Sequence, residues 1–230
     1  MKEIEMTNRE AVIRTIEEKK IIVIIRGLDP ETLKKAVGAM IEGGIGLVEL
    51  PFDQSGRTSD EETAESIRML KETFPNRLCV GAGTVLTVEE AKLAAKAGAE
   101  YIVSPDTYEP VIKSTRELGL VSIPGAFTPT EATNAHRWGA DFVKLFPNSE
   151  INPSYLRALV TPLSHIRFLA VGGVTLGSIR PLLDAGARGF GIASAIADKN
   201  KIAAGDFAGI TAVSRQFVEA VNEKKKLTKL

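Results

Sequence analysis

A short apolar, β-branched run, a longer amphipathic segment and a glycine recur in that relation along the chain, and this pattern constrains the fold more than any single residue does. Four junctions show it well: Glu42-Gly43-Gly44 before Leu47-Val48, Ala97-Gly98-Ala99 before Tyr101-Ile102, Trp138-Gly139-Ala140 before Phe142-Val143, and Ala185-Gly186-Ala187 before Phe190-Gly191. Glycine suits a helix C-terminus because it adopts the left-handed conformation that turns the chain away. The recurring unit therefore reads helix, glycine, strand.

Strands are expected at 21–25, 47–50, 79–81, 101–103, 121–123, 142–145, 167–170 and 189–192. Between and after them, helices are expected at 30–43, 60–73, 88–97, 107–118, 129–138, 153–161, 176–185 and 206–224, with an extra N-terminal helix near 8–19. Eight strands of near-continuous apolar character, each followed by a helix, suit a parallel sheet buried on both faces. The predicted fold is α/β, a single (β/α)8 TIM barrel spanning residues 1–230 as one domain. An open doubly wound sheet would be expected to carry a dinucleotide fingerprint after its first strand, and Arg26-Gly27-Leu28-Asp29-Pro30 is not one.

Composition narrows the function classes. With 29 basic and 29 acidic residues the formal charge is zero, so no nucleic-acid partner is expected from global electrostatics and any anion site must be local. The lone Cys79 excludes an internal disulfide, and His136 and His165 alone make no cluster at metal-ligand spacing. No metal is expected. The N-terminus is mostly charged and polar, and no apolar run approaches the roughly 20 residues of a membrane span, which reads as a soluble, cytoplasmic protein. Glu223-Lys224-Lys225-Lys226 reads as a frayed helix end with a basic tail.

Lys144 stands inside the apolar run Phe142-Val143-Lys144-Leu145-Phe146-Pro147. A buried ammonium is costly unless it is paired or neutralised, and desolvation that lowers its pKa yields an amine able to attack a carbonyl. From the hexapeptide alone, an edge-strand lysine snorkelling into water is an equally natural reading. The strand count decides between them, because in such barrels the active site forms at the C-terminal strand ends.

Those ends carry Arg26, Glu49, Gly83-Thr84, Ser104-Pro105, Pro124-Gly125, Lys144, Gly172-Gly173 and Ser194. Glu49 is a second ionisable group in an apolar strand, where desolvation suits a carboxyl to general acid–base work; its plainer role is an ion-pair partner for Arg26 or Lys144. The fork of Arg26 suits a carboxylate or the orientation of Glu49. Gly81-Ala82-Gly83-Thr84 offers backbone N–H groups and a hydroxyl to an anion. Gly172-Gly173 after the seventh strand, together with Ser194 after the eighth, falls where barrels commonly hold phosphate. Trp138, Cys79, His136 and His165 read as packing or surface residues.

With these residues in place, the chain resembles the 2-keto-3-deoxy-6-phosphogluconate/4-hydroxy-2-oxoglutarate aldolases, class I enzymes on a (β/α)8 barrel. The resemblance runs from about Ile21 to Val221. It rests on Ile25-Arg26-Gly27, Val48-Glu49-Leu50-Pro51, Gly81-Ala82-Gly83-Thr84-Val85, Ser104-Pro105, Pro124-Gly125, Val143-Lys144-Leu145-Phe146-Pro147 and Gly172-Gly173-Val174.

The resemblance implies that Lys144 forms a Schiff base, that Glu49 moves protons and that Arg26 supports both Glu49 and substrate. It also implies that Thr84 binds the keto acid's carboxylate, that Phe146 packs beside the imine, that Pro105 lies against substrate, and that Gly172, Gly173 and Ser194 hold its phosphate. No cofactor is implied. The partners implied are a phosphorylated keto acid, pyruvate and two further copies of the chain in a homotrimer.

Ala170-Val171 stands where many phosphogluconate enzymes have Pro-Thr, and it resembles the 6-phosphogalactonate branch instead. The insertion-like Asp53-Gln54-Ser55-Gly56 leaves open whether Arg57 matches an arginine that some members place near the carboxylate, and Ala193 replaces a common glycine. Expected, then, is cleavage of a 2-keto-3-deoxy-6-phospho sugar acid to pyruvate and glyceraldehyde 3-phosphate. The alternatives are a 4-hydroxy-2-oxoglutarate aldolase, a phosphate-binding barrel enzyme that works without an imine, and a non-catalytic sugar-phosphate-binding barrel.

Overall fold

The computed structural model describes residues 8–147 and 152–223, so the basic tail lies outside the described residues. The chain opens with α1 (Asn8–Lys19) and then alternates β1 (Ile21–Ile24), α2 (Pro30–Glu42), β2 (Leu47–Pro51), α3 (Asp60–Thr73), β3 (Cys79–Gly83), α4 (Val88–Lys96), β4 (Tyr101–Val103) and α5 (Glu109–Glu117). The second half comprises β5 (Val121–Ile123), β6 (Gly125–Ala126), α6 (Pro129–Arg137), β7 (Val143–Leu145), α7 (Pro153–Val160), β8 (Phe168–Val171), α8 (Leu176–Ala185), β9 (Gly189–Ile192), α9 (Lys199–Ala203) and α10 (Phe207–Asn222).

The glycines at four helix ends take the expected left-handed backbone, with φ of 95° at Gly44, 94° at Gly98, 104° at Gly139 and 108° at Gly186. Helix starts are equally explicit in the sequence. Asp29 caps α2 ahead of Pro30, and Ser59, Thr87 and Thr128 form capping boxes with Glu62, Glu90 and Glu131. Helix α5 begins at Glu109 rather than 107, with Tyr108 as its N-cap and Pro110 in its first turn, where the missing N–H costs nothing. The five-residue α9 is too short for hydrophobic periodicity to reveal.

All strand pairs are parallel, in the order β5-β4-β3-β2-β1-β9-β8-β7-β6. The two ends of that order are halves of one extended run interrupted at Pro124. Across the junction Ser122 O accepts from Asp141 N at 3.0 Å, Pro124 O from Lys144 N at 2.9 Å and Ala126 O from Phe146 N at 3.2 Å. The run thus pairs with β4 on one side and β7 on the other, and the sheet closes around eight strand positions. Sequence reading ends the strand at 123 and misses β6; the proline removes a donor there, not the pairing.

Alternation along each strand separates two apolar layers. Outward residues such as Val23, Val48, Val80, Ile102, Val143, Leu145 and Ala170 pack against the helices. Inward ones, Ile22, Ile24, Leu47, Cys79, Tyr101, Val103, Val121, Ile123, Phe142, Leu169 and Val171, fill the barrel. Val12 and Ile16 of α1 join this inner cluster, so α1 plugs the N-terminal end; burying each side chain contributes about 1.5–3 kcal/mol. Asp141 fixes the plug. It takes hydrogen bonds from Arg9, from Arg116 at 2.9 Å and from the Ser122 N–H at 3.0 Å.

Candidate active site

Lys144 shares its strand face with Phe142, so parity alone directs it into the barrel while Val143 and Leu145 face the helices. It is 5% exposed, which removes the snorkelling alternative. Burial pushes its pKa below the ordinary lysine value; Glu49 opposes that shift and Arg26 adds to it. The ammonium nitrogen lies 4.6 Å from the centre of the Phe146 ring, which stands at the mouth.

Glu49 shares the inward face of β2 with Leu47 and is 2% exposed. Since β2 and β7 are four positions apart around a ring of eight, Glu49 and Lys144 approach from opposite walls. Burial raises the carboxyl's pKa, and Lys144 and Arg26 pull it back only in part. Burial thus shifts both groups toward their neutral forms, the acid on one wall and the amine on the other. Glu49 Oε1 is buried with no protein hydrogen-bond partner.

Arg26, just past β1, is exposed. Its charge lowers the pKa of both Glu49 and Lys144. Thr84, half-buried beyond β3, holds φ at +53°, a conformation that costs a β-branched residue about 1–3 kcal/mol. The neighbours enforce it: Val85 N donates to Val103 O at 3.2 Å and Ser104 Oγ to Val85 O at 2.7 Å. Pro105 packs against Gly125 so closely that a Cβ on that glycine would come within 2.2 Å of the Pro105 carbonyl.

Gly172 and Gly173 have φ of 96° and 64° and lead into α8, whose N-cap is Thr175. Ser194 is exposed just past β9 and lines a pocket of about 170 Å³ with Arg26, Ala193 and Lys199. Lys199 is a cation that sequence reading missed, because it opens the short α9. Arg57 does not join Lys144. Its side chain is 85% exposed, close to Asp53 at 3.6 Å, and it lines a separate cleft of about 890 Å³ between α2 and α3 that meets the mouth at Arg26.

The readings of Cys79 and Trp138 as packing residues hold: Cys79 is buried, and Trp138 caps α6 against the outer core. His136 and His165 stack edge to face at 4.8 Å, a contact their separation in sequence conceals. Among the described residues, no group of three or more His, Cys, Asp or Glu is placed to hold a metal ion, and no helix is long and apolar enough to cross a membrane.

Residues 12–213 align with the family model of the KDPG and KHG aldolases. The chain belongs to the KDPG and KHG aldolase family. Two relatives make the match concrete. The 2-dehydro-3-deoxy-6-phosphogalactonate aldolase of Escherichia coli (strain K12) is 35% identical over 76% of this chain and 82% of its own length. The probable 2-dehydro-3-deoxy-6-phosphogalactonate aldolase of Rhizobium meliloti (strain 1021) is 37% identical over 82% of this chain and 86% of its own. Among solved structures, the native KDPGal structure superposes with a TM-score of 0.78 at 33% identity, covering 87% of this chain and 93% of the other. This aldolase is accordingly a lyase, and its barrel is the one these relatives share.

Proposed function

We propose that this aldolase cleaves a 2-keto-3-deoxy-6-phospho sugar acid, of the galactonate configuration, through a Schiff base on Lys144. The observation that carries the reading is the pairing of a buried amine with a lowered pKa and a buried carboxyl with a raised one across a barrel mouth.

Neutral Lys144 adds through Nζ to the C2 ketone, and the carbinolamine hydroxyl leaves as water with a proton from the Glu49 carboxyl, giving a protonated imine and a Glu49 carboxylate. Glu49, as carboxylate, accepts the C4 hydroxyl proton directly or through water. The C3–C4 bond breaks with its electron pair passing into the imine, and glyceraldehyde 3-phosphate departs. The enamine left behind takes a proton at C3 from Glu49; water then hydrolyses the imine, releasing pyruvate and free Lys144. Phe146 shields the imine, Arg26 supports Glu49 and the substrate, and Thr84 receives the carboxylate against Pro105. Gly172, Gly173 and Ser194 take the phosphate. No metal or organic cofactor enters any of these steps.

Two features support the galactonate configuration: both relatives named above carry that activity in their names, and Val171 presents no hydroxyl to the interior. The reading treats residues 1–230 as one catalytic domain in the cytoplasm, assembled as a homotrimer. The exposed Phe127, stacked on Tyr155 at 5.9 Å beside the mouth-forming β6, supports an interface between copies.

Incubation with pyruvate, borohydride reduction and mass mapping tests the covalent step. The reduced pyruvate adduct is expected on Lys144, and its absence there, or full turnover by Lys144→Ala, would sink the mechanism. Turnover of both C4 epimers tests the substrate, with a preference for the gluconate form overturning that part alone.

A further inference from the structure

We propose that Tyr101 is the positioning residue for Glu49, fixing the stretch of β2 that carries the carboxyl through a hydrogen bond to the Val48 carbonyl. The inference rests on the reading of Glu49 as the proton carrier.

Strand β3 supplies the room for this arrangement. Its inward positions at the mouth are Gly81 and Gly83, and two neighbouring side chains lie over them. Glu49 leans across from β2, so that a Cβ on Gly83 would come within 1.9 Å of Glu49 Oε1. From the other side, Tyr101 on β4 is the direct cross-strand partner of Gly81, and a Cβ there would fall 2.1 Å from its ring. With no side chain in the way, the ring spans β3 and its hydroxyl donates to Val48 O at 2.5 Å. Ladder hydrogen bonds join only adjacent strands; this one reaches past β3 and ties β4 to β2.

The tie ends one residue before Glu49. Tyr101 is 0% exposed, so water cannot take over the bond once the hydroxyl is removed. Glu49 Oε1 itself has no protein hydrogen-bond partner, so the carboxyl's position depends on its backbone and on the groups that crowd it. The ionisable groups about the phenol are Glu49 on β2, Cys79 on β3 and Glu100 just before β4, and those about Glu49 also include Lys144 on β7 and Arg26 after β1. Tyr101 stays a protonated donor throughout, since burial and its neighbours hold its pKa far above the ordinary phenol value.

The test uses the full-length protein carrying Tyr101→Phe, which keeps the ring and deletes the hydroxyl, with Tyr101→Leu as a second variant that also empties the space. Turnover of 2-keto-3-deoxy-6-phosphogalactonate is measured against pH, and the Glu49 carboxyl is titrated by carbon-13 NMR. For Tyr101→Phe, kcat should fall about tenfold, as a displaced reacting group requires, while KM and borohydride trapping of pyruvate on Lys144 stay near the parent values. The Glu49 titration should shift from its parent position as the carboxyl moves relative to Lys144 and Arg26, and Tyr101→Leu should move both readouts further. A parent-like kcat with an unmoved Glu49 titration would overturn the inference. So would a loss of kcat with that titration unmoved, which marks a merely structural residue. Glu49→Gln separates the two levels. Full turnover by that variant overturns the role of Glu49 and this inference with it, whereas an impaired Glu49→Gln beside an unimpaired Tyr101→Phe overturns the inference alone.

Discussion

Glu49 occupies the space that a side chain at position 83 would fill, its Oε1 lying 1.9 Å from where a Cβ on Gly83 would stand. The glycine is thus part of the carboxyl's seat. Gly83→Ala is expected to displace the carboxyl by more than an ångström and to lower kcat about a hundredfold. Because Gly83 has no left-handed backbone to lose, the melting temperature should suffer far less than turnover. Equal kcat in the two proteins would show that the carboxyl does not need this position.

The lowered pKa of Lys144 fixes the direction of a pH effect. Only the neutral amine attacks a ketone, so the rate of borohydride-trappable adduct formation with pyruvate should rise with pH about a midpoint below the 10.5 of an ordinary lysine. Glu49 supports the ammonium form, so Glu49→Gln should move the midpoint to still lower pH. A midpoint at the ordinary lysine value would refute the desolvated amine.

Val171 faces the barrel interior from β8, paired with Gly191 and packed where a Cβ on that glycine would come within 2.8 Å of it. Val171→Thr conserves shape and adds a hydroxyl to the interior face, where the proposed substrate would bind. The ratio of kcat/KM for the gluconate over the galactonate epimer should rise about tenfold, the order of discrimination one hydrogen bond supplies, at a stability cost of about 1–2 kcal/mol for the buried hydroxyl. An unchanged ratio would place the stereochemical choice elsewhere.

Asp141 serves stability at the other end of the barrel. Asp141→Ala leaves the buried Ser122 N–H without its acceptor and releases Arg9 and Arg116, an expected loss of about 2–3 kcal/mol read by urea unfolding. Asp141→Asn should cost less, because burial already disfavours the charge and the amide oxygen still accepts. Equal losses would mean that the charge itself holds α1 in place.

The repeat of helix, glycine and strand was legible because burial on both faces, helix capping and chain reversal each leave marks within a few residues. The placement of Lys144 and Glu49 inside the barrel was legible for a related reason: each is a charge in an apolar run. What escaped depends on neighbours distant in sequence. Tyr101 looks like an ordinary strand aromatic until Gly81 and the Val48 carbonyl are brought beside it. Lys199 heads a helix too short to show a period, and the pairing that continues across Pro124 depends on carbonyls, which no residue type advertises.

Helix α1 gives the interior a floor, with Val12 and Ile16 set into the same cluster as Phe142 and Leu169. A vessel sealed at its base has one doorway, and whatever enters last blocks the path of what entered first. In the proposed cleavage, the fragment joined to Lys144 lies on the inner side and the phosphorylated aldehyde nearer the rim. The order of release is then dictated by position as well as by bonding: the aldehyde leaves first, and pyruvate follows through the space it vacates.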